Sequence, residues 1–454
     1  MPPPGTPAPS DSRASSGSPA PSGAPAPSGP RAPSGSRASS GSPVPSGSRA
    51  PSDSRTPAGA HVPPGSRALS GRPGRSEGTV RPGLTELRLS AFAGHRRAGF
   101  PLGPLTLLAG PSGSGKTTAL RAYEALARLA GGAPLADVFP DPVGCVPERA
   151  RPDAQRRRGF RIGCTADGPE GPVRLDVAVQ AEPELRIVGE RLTAGGRILL
   201  ETALRDPGRH AVQAAWHTAG TAPVTRAPLP DDRLGTALLP LRVAGKTDGQ
   251  RQVLAAAEQT VVALRSVFAC DPRPDRMRGP VPLGSGRLLP GCDNLADVLW
   301  RTRSECGRRY AQLVAAVREG CRGPVTDVLA EPPGDGTVRA LLDRGDGVRT
   351  DAGRLGDGEL RYLALALVLL TGPGVLDIDA PGEVPDAMRG LTVLADGLDR
   401  ALDERQRGGL LRLAARMCAL GHIRFVGAVS DASWAAGTDG VTVVDLDPVV
   451  HLEP

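Results

Sequence analysis

One nine-residue stretch, GPSGSGKTT from Gly110 to Thr118, constrains this chain more than any other. It fits GxxxxGK(S/T), in which glycines let backbone N–H groups turn inward around an anion while a lysine ammonium reaches in as a compact point charge. Of the 55 basic residues only two are lysines, and one of them is Lys116. A lysine kept here, in a chain that otherwise uses arginine, marks a place where a planar guanidinium does not serve. The run Leu105, Thr106, Leu107, Leu108, Ala109 reads as a buried strand, and TTALRAYEALARLA after Lys116 reads as a helix. Strand, glycine loop and helix together aim a helix N-terminus at phosphate. The expected phosphate-binding set is therefore Gly110, Pro111, Ser112, Gly113, Ser114, Gly115, Lys116, Thr117 and Thr118. Within it Lys116 serves the terminal phosphates and the Thr117 hydroxyl a Mg²⁺ ion. A Gly/Ser turn that holds a lysine by chance is the alternative, and the flanking strand and helix count against it.

The 454 residues divide sharply. Residues 1–80 are almost entirely Pro, Ser, Gly, Ala and Arg, with no Ile, Phe, Tyr or Trp, and PSGSRA-like units recur at 33–38, 45–50, 51–56 and 63–68. Such a segment buries too little apolar surface to offset its ordering entropy, so a disordered tail is expected. It lacks the apolar stretch of a signal peptide. Eight arginines stand there against Asp11, Asp53 and Glu77, so most of the chain's net +7 lies in the tail. A basic tail can hold nucleic acid or an acidic surface loosely, but a solvated spacer explains it as well. In the body Arg149, Arg151, Arg156, Arg157, Arg158 and Arg161 form the most basic stretch, without interleaved aromatics. No apolar run approaches the ~20 residues of a membrane helix. The seven cysteines and six histidines are scattered with no CxxC pair, which argues against a zinc site and for a reducing, cytoplasmic setting.

Residues 354–370, RLGDGELRYLALALVLL, place a Gly-Asp-Gly turn directly before a helical pattern that is apolar nearly all round. Such a helix is expected to be buried, with Glu359 in its first turn complementing the dipole. A glycine-rich turn at a helix start is a second candidate anion site, although a core helix with a glycine cap reads the same way.

Taken with the phosphate loop, this segment resembles the signature motif (LSGGE or LSDGE) of the ABC, SMC and RecF-type ATPases of the AAA-like P-loop group. The opening LTELRLSAFAGHRRAGFPLGPLTLLAGPSGSGKTT (84–118) is similar to theirs, as are ALRSVFACDPRP and GCDNLADVLWRTR further on. The resemblance covers most of 84–435. It implies an α/β fold with a mostly parallel sheet flanked by helices, and a β-rich and helical insertion over 158–350. It also implies ATP with Mg²⁺, and a homodimer in which the signature of one copy closes over the ATP of the other. Gly356, Asp357, Gly358 and Glu359 would form that lid on the γ-phosphate, with Gly356 standing where the motif has Ser.

An ATPase of this kind needs an acid at the end of a buried strand and a neighbouring carboxylate to orient water. Two segments compete for the acid. VLDIDAP ends at Asp379, at the usual distance after the signature, and LTVLADGLDRALD ends its apolar run at Asp396, at the usual distance before Ser430. The strand that directly follows the signature helix favours Asp379. Ala380 or Gly397 then occupies the place of the base, for which Glu383 or Asp399 could substitute, and Ser430 occupies the place of the switch histidine. Altered base, signature and switch with an intact phosphate loop imply tight nucleotide binding and slow hydrolysis, since losing the base commonly costs about 10²–10⁴-fold.

Between the motifs, runs such as VRLDVAVQ and ELRIVGERL have period two and read as antiparallel strands. Residues 250–268 and 294–319 read as helices forming a lid or arm, too short for a long coiled coil. Three functions remain open: an ATPase acting on DNA, a nucleotide-gated module that recruits a protein partner, and a P-loop kinase.

Overall fold

The structure is a computed structural model and describes residues 81–219, 223–284, 286–378 and 390–446. Every described residue belongs to one compact unit. The expectations for the tail, for Asp379 and for Glu383 therefore lie outside the described residues.

Strands β1 (Gly83–Phe92) and β2 (His95–Pro101) form a hairpin, and β3 (Leu105–Ala109) leads through the glycine loop into helix α1 (Lys116–Ala130). After the single turn α2 (Leu135–Val138), six strands follow in sequence. They are β4 (Arg158–Asp167), β5 (Val173–Glu182), β6 (Arg186–Ala194), β7 (Arg197–Ala203), β8 (Ala211–His217) and β9 (Val224–Pro230). They pair antiparallel in chain order, and β4 also pairs with β1, giving an eight-stranded sheet β2-β1-β4-β5-β6-β7-β8-β9. The β-rich part read as an insertion thus continues the opening hairpin as one sheet. Its inward residues alternate, as period two requires: Phe160, Ile162, Cys164 and Ala166 on β4 and Val173, Leu175, Val177 and Val179 on β5 are buried.

The chain then forms the turn α3 (Gly235–Leu238), helix α4 (Asp248–Arg265), strand β10 (Val267–Cys270), the turn α5 (Pro274–Met277) and the short strand β11 (Val281–Pro282). Helices α6 (Leu295–Glu305) and α7 (Gly307–Gly320) follow, then β12 (Asp327–Glu331), β13 (Thr337–Asp343) and β14 (Arg349–Asp351), which build a small antiparallel sheet with β11. Helix α8 (Asp357–Leu370), strand β15 (Leu391–Ala395), helix α9 (Glu404–Ala419), β16 (Ile423–Val429) and β17 (Val441–Asp445) complete the described chain.

A parallel sheet, β10-β15-β16-β3-β17, separates two cores. All five residues of β3 and of β15 are buried, as strands covered on both faces must be. Their alternation deals side chains to opposite sides. Leu105, Leu107, Val393 and Phe425 join the core that holds α8, whereas Leu108, Leu394 and Val426 join the core of α1, α4 and the large sheet. Strand β10 pairs with β15, so the span 158–350 contains one strand of the parallel sheet itself.

The apolar circumference of α8 is explained by its neighbours. It packs against α7 and α9, and every residue from Leu360 to Leu370 is buried. A fully buried leucine contributes about 1.5–3 kcal/mol, so α8 is a main stabilising element. The segments read as a lid or arm pack against the rest of the chain. Helix α4 lies against α1 and the large sheet, and α6 and α7 bury Leu295, Val298, Leu299, Leu313 and Val317 beside α8. The buried residues of α4 belong to one core and those of α6 and α7 to the other. Among the described residues no helix is long and apolar enough to cross a membrane.

Candidate functional site: the cleft between the Lys116 loop and the Asp396 turn

The loop after β3 has the shape its sequence demands. Gly113 and Gly115 adopt φ values of 84° and 91°, which L side chains resist, and Gly115 caps α1 in the left-handed conformation. A Cβ at Gly115 would also lie 2.3 Å from the His95 ring, so no other residue fits there. His95 is buried, stacks edge-on against Phe100 at 5.4 Å and meets the Gly115 carbonyl through Nε2 at 3.1 Å. The opening hairpin thereby buttresses the loop from behind. Sequence reasoning missed this contact, because nothing in HRR marks the histidine as a loop support.

Lys116 is the first residue of α1 and its ammonium is centred on the loop. Nζ donates to the Gly110 and Pro111 carbonyls, both at 2.7 Å, and lies 3.4 Å from the Ser114 hydroxyl. Ser114 is buried within the loop, whereas Pro111, Ser112 and Gly113 are exposed at its tip. At the next position the Thr117 hydroxyl donates to Asp396 Oδ2 at 2.8 Å. Asp396 directly follows β15, and β16 separates β15 from β3. The loop and the acid therefore meet across the end of β16, at the carboxyl ends of parallel strands, where open α/β sheets place their ligands.

The space between them is an open cleft of ≈ 450 Å³ whose lining includes Lys116, Thr117, Thr118, Asp396, Asp399 and Arg400. A slightly larger hollow of ≈ 470 Å³ by β10, Glu124 and Arg265 lies away from the loop and contains none of the expected phosphate-binding residues. Of the two, the smaller is the one with the chemistry.

Asp399, one of the two residues expected to replace the base, has Oδ2 accepting from the Ser430 N–H at 2.8 Å. Ser430 itself is exposed at the end of β16 and lines the cleft. The residue next to Asp396 is Gly397, so no carboxylate directly follows Asp396 in the chain.

Gly356, Asp357, Gly358 and Glu359 are not part of this lining. They begin α8, with Gly356 and Asp357 exposed. Glu359 Oε2 accepts from the Gly356 N–H at 3.2 Å, and its other oxygen lies 3.7 Å from Arg344. Asp357 pairs with Arg278, which also donates to the Leu355 carbonyl at 2.6 Å. The two carboxylates are therefore bound within the chain. Gly358 is a glycine for packing, since a Cβ would lie 2.4 Å from the Ala401 carbonyl oxygen. At Gly356 a Cβ would meet only Glu359 Oε2, at 4.0 Å, and φ is an ordinary −68°.

Arg361 ties α8 to the cleft. Its buried guanidinium donates to the Pro272 carbonyl at 2.6 Å and the Gly397 carbonyl at 3.0 Å, and pairs with Asp271 at 3.3 Å. The apolar pattern around it hid this residue from sequence reasoning.

The cysteines offer no nucleophile at the cleft. Burial pushes the Cys164 and Cys321 thiols up to about 12 and Cys418 up to about 11. Among the described residues no group of His, Cys, Asp and Glu could by itself hold a metal ion.

The sequence matches no protein-family model and no curated protein. Among solved structures, the chain is similar to an SMC head bound to the C-winged helix domain of ScpA, at 12% identity and a TM-score of 0.46, covering 81% of this chain and 96% of that one. It is similar to the SMC head domain from Thermotoga maritima at 12% identity and a TM-score of 0.38, covering 80% and 94%. A third is an Smc head domain with an extended coiled coil, bound to the C-terminal domain of ScpA derived from Pyrococcus furiosus, at 13% identity and a TM-score of 0.40, covering 81% and 95%. At these identities and scores the reading of the cleft rests on its own geometry.

Proposed function

We propose that this chain binds ATP with Mg²⁺ in the cleft and hydrolyses it slowly, as an ATP-binding domain of the ABC, SMC and RecF type. One observation carries the reading: Lys116 centred on a glycine loop, with Thr117 hydrogen-bonded at 2.8 Å to an acid one strand away. The α1 N-terminus and the loop N–H groups would hold the phosphates, and Lys116 would exchange its loop carbonyls for phosphate oxygens. Thr117 and Asp396 supply adjacent oxygen donors, which suits Mg²⁺, an ion that binds through one or two protein oxygens and substrate phosphates. Mg²⁺ would supply charge neutralisation of the triphosphate there. Asp396 is accordingly the acid of this proposal.

Gly397 beside Asp396, and Ser430 with its N–H on Asp399, favour holding ATP over cleaving it. That supports a second reading, a nucleotide-gated module whose ATP state recruits a partner. The exposed start of α8 at Gly356 is the face through which a second copy would close over ATP, and action on DNA is a further part of the first reading. The signature-like LGDGELRYLALAL and the long span between it and the phosphate loop count against the kinase reading.

Titration of the full chain with ATP, with and without Mg²⁺, beside Lys116→Ala, tests the proposal. Saturable binding that strengthens with Mg²⁺ and is lost in the variant is the expected result. Equal binding by both proteins, or none by either, would refute it. Sizing the protein with ATP, and assaying turnover with DNA, separates the two readings.

A further inference from the structure

The turn after β15 carries a cation whose setting is unlike that of an ordinary surface arginine. Leu398 N–H donates to the Ala428 carbonyl at 2.9 Å and Arg400 N–H to the Gly397 carbonyl at 3.0 Å, while Asp399 takes the Ser430 N–H. Three hydrogen bonds thus fix the backbone that presents Arg400 at the rim of the cleft. Gly397 has φ 56°, and a Cβ built on it would lie 3.1 Å from Arg400 Nη2, 3.2 Å from Nε and 3.3 Å from Cζ. The guanidinium therefore lies over residue 397, the position next to Asp396 where a water-orienting carboxylate would stand.

Arg400 is weakly held. Its ion pair is with Asp271 at 3.9 Å, and its side chain is 64% exposed. Asp271 already serves the buried Arg361 at 3.3 Å, so one carboxylate faces two guanidinium groups. An exposed pair this long restrains a side chain little. Asp396 and Asp399 accept hydrogen bonds from Thr117 and Ser430, and the ion pair of Arg400 is with neither of them. A guanidinium fork matches two phosphate oxygens at once, which a loosely paired arginine at a phosphate cleft can exploit.

We propose that Arg400 is a second phosphate-binding cation of this cleft, leaving Asp271 to grip the terminal phosphate opposite Lys116. This rests on the nucleotide reading above. In place of a base beside Asp396, the chain sets a positive charge, which makes the cleft one that retains a triphosphate and distinguishes it from a diphosphate.

The test is equilibrium titration of the full chain with ATP and with ADP, both with Mg²⁺, for the wild type, Arg400→Met, Arg400→Lys and Lys116→Ala. Arg400→Met is expected to lose about 10- to 100-fold in ATP affinity, the range of a charge-assisted phosphate contact, and less than about 3-fold for ADP. Arg400→Lys should recover part of the loss, and the unfolding temperature without nucleotide should not move. Equal weakening of ATP and ADP in Arg400→Met, no weakening of either, or a lowered unfolding temperature without nucleotide would each overturn the proposal. A wild type that binds neither nucleotide, like Lys116→Ala, would overturn the nucleotide reading and this proposal with it.

Discussion

The Lys116 loop and the turn after β15 flank the same strand, β16, yet they differ in kind. On the β3 side each feature of an anion cradle is in place: positive-φ glycines, a lysine on the loop axis, a hydroxyl at the helix start and a histidine bracing the loop from behind. On the β15 side Asp396 accepts from Thr117, but glycine follows it, the Arg400 guanidinium lies over that glycine and a serine stands at the end of β16. Binding phosphate needs fixed donors, whereas cleaving it needs a positioned water and a base. In the proposed reading the Lys116 side holds the triphosphate, and the Asp396 side has glycine and arginine where cleavage would need a base.

The sharpest way to break that contrast is at Lys116. Lys116→Ala should weaken ATP binding by about 100-fold or more, read by calorimetry, because several charge-assisted contacts go together. An unchanged affinity would mean the loop is not an anion site. Next is Gly358→Ala, which forces a Cβ to 2.4 Å from the Ala401 carbonyl and should cost about 1–3 kcal/mol of stability in denaturant titrations. It also presses on the turn carrying Arg400, so ATP affinity should fall with stability. Asp396→Asn comes third. The part of ATP affinity that depends on Mg²⁺ should drop by about 10-fold, with binding in chelator unaltered. The smallest effect is expected from Gly356→Ser, which has room for its side chain and gives α8 an N-cap hydroxyl worth a few tenths of a kcal/mol. If α8 closes over the ATP of a second copy, the same substitution should raise dimer formation with ATP, measured by light scattering.

Much of this was readable in the chain, because local patterns dictate local structure. The apolar run 105–109, the glycine loop and the Ala/Leu run after it became β3, the loop and α1. LGDGELRYLALALVLL became a helix starting at Asp357 and buried from Leu360 onward. Strict alternation in VRLDVAVQ fixed β5, with its even-spaced valines inward. What could not be read was long-range. The choice between Asp379 and Asp396 turned on spacing, and spacing matched each candidate at one end. Only the pairing of β15 with β16 and of β16 with β3 brings Asp396 against Thr117. Likewise, 250–268 and 294–319 announce helices but not their partners, since an amphipathic face does not say what will cover it. Arg400 was visible in the run RALD, but its guanidinium over Gly397 depends on a turn fastened to β16.

The most direct test measures retention and cleavage in one sample: the full chain is mixed with Mg²⁺ and ATP, and bound nucleotide and released phosphate are followed together, with Lys116→Ala as the blank. ATP should be held by the wild type but not the variant, with phosphate release at least about 100-fold below the ~10 s⁻¹ of a typical enzyme. Release near that typical rate, abolished in Lys116→Ala, would contradict it and show that a base acts in the cleft after all.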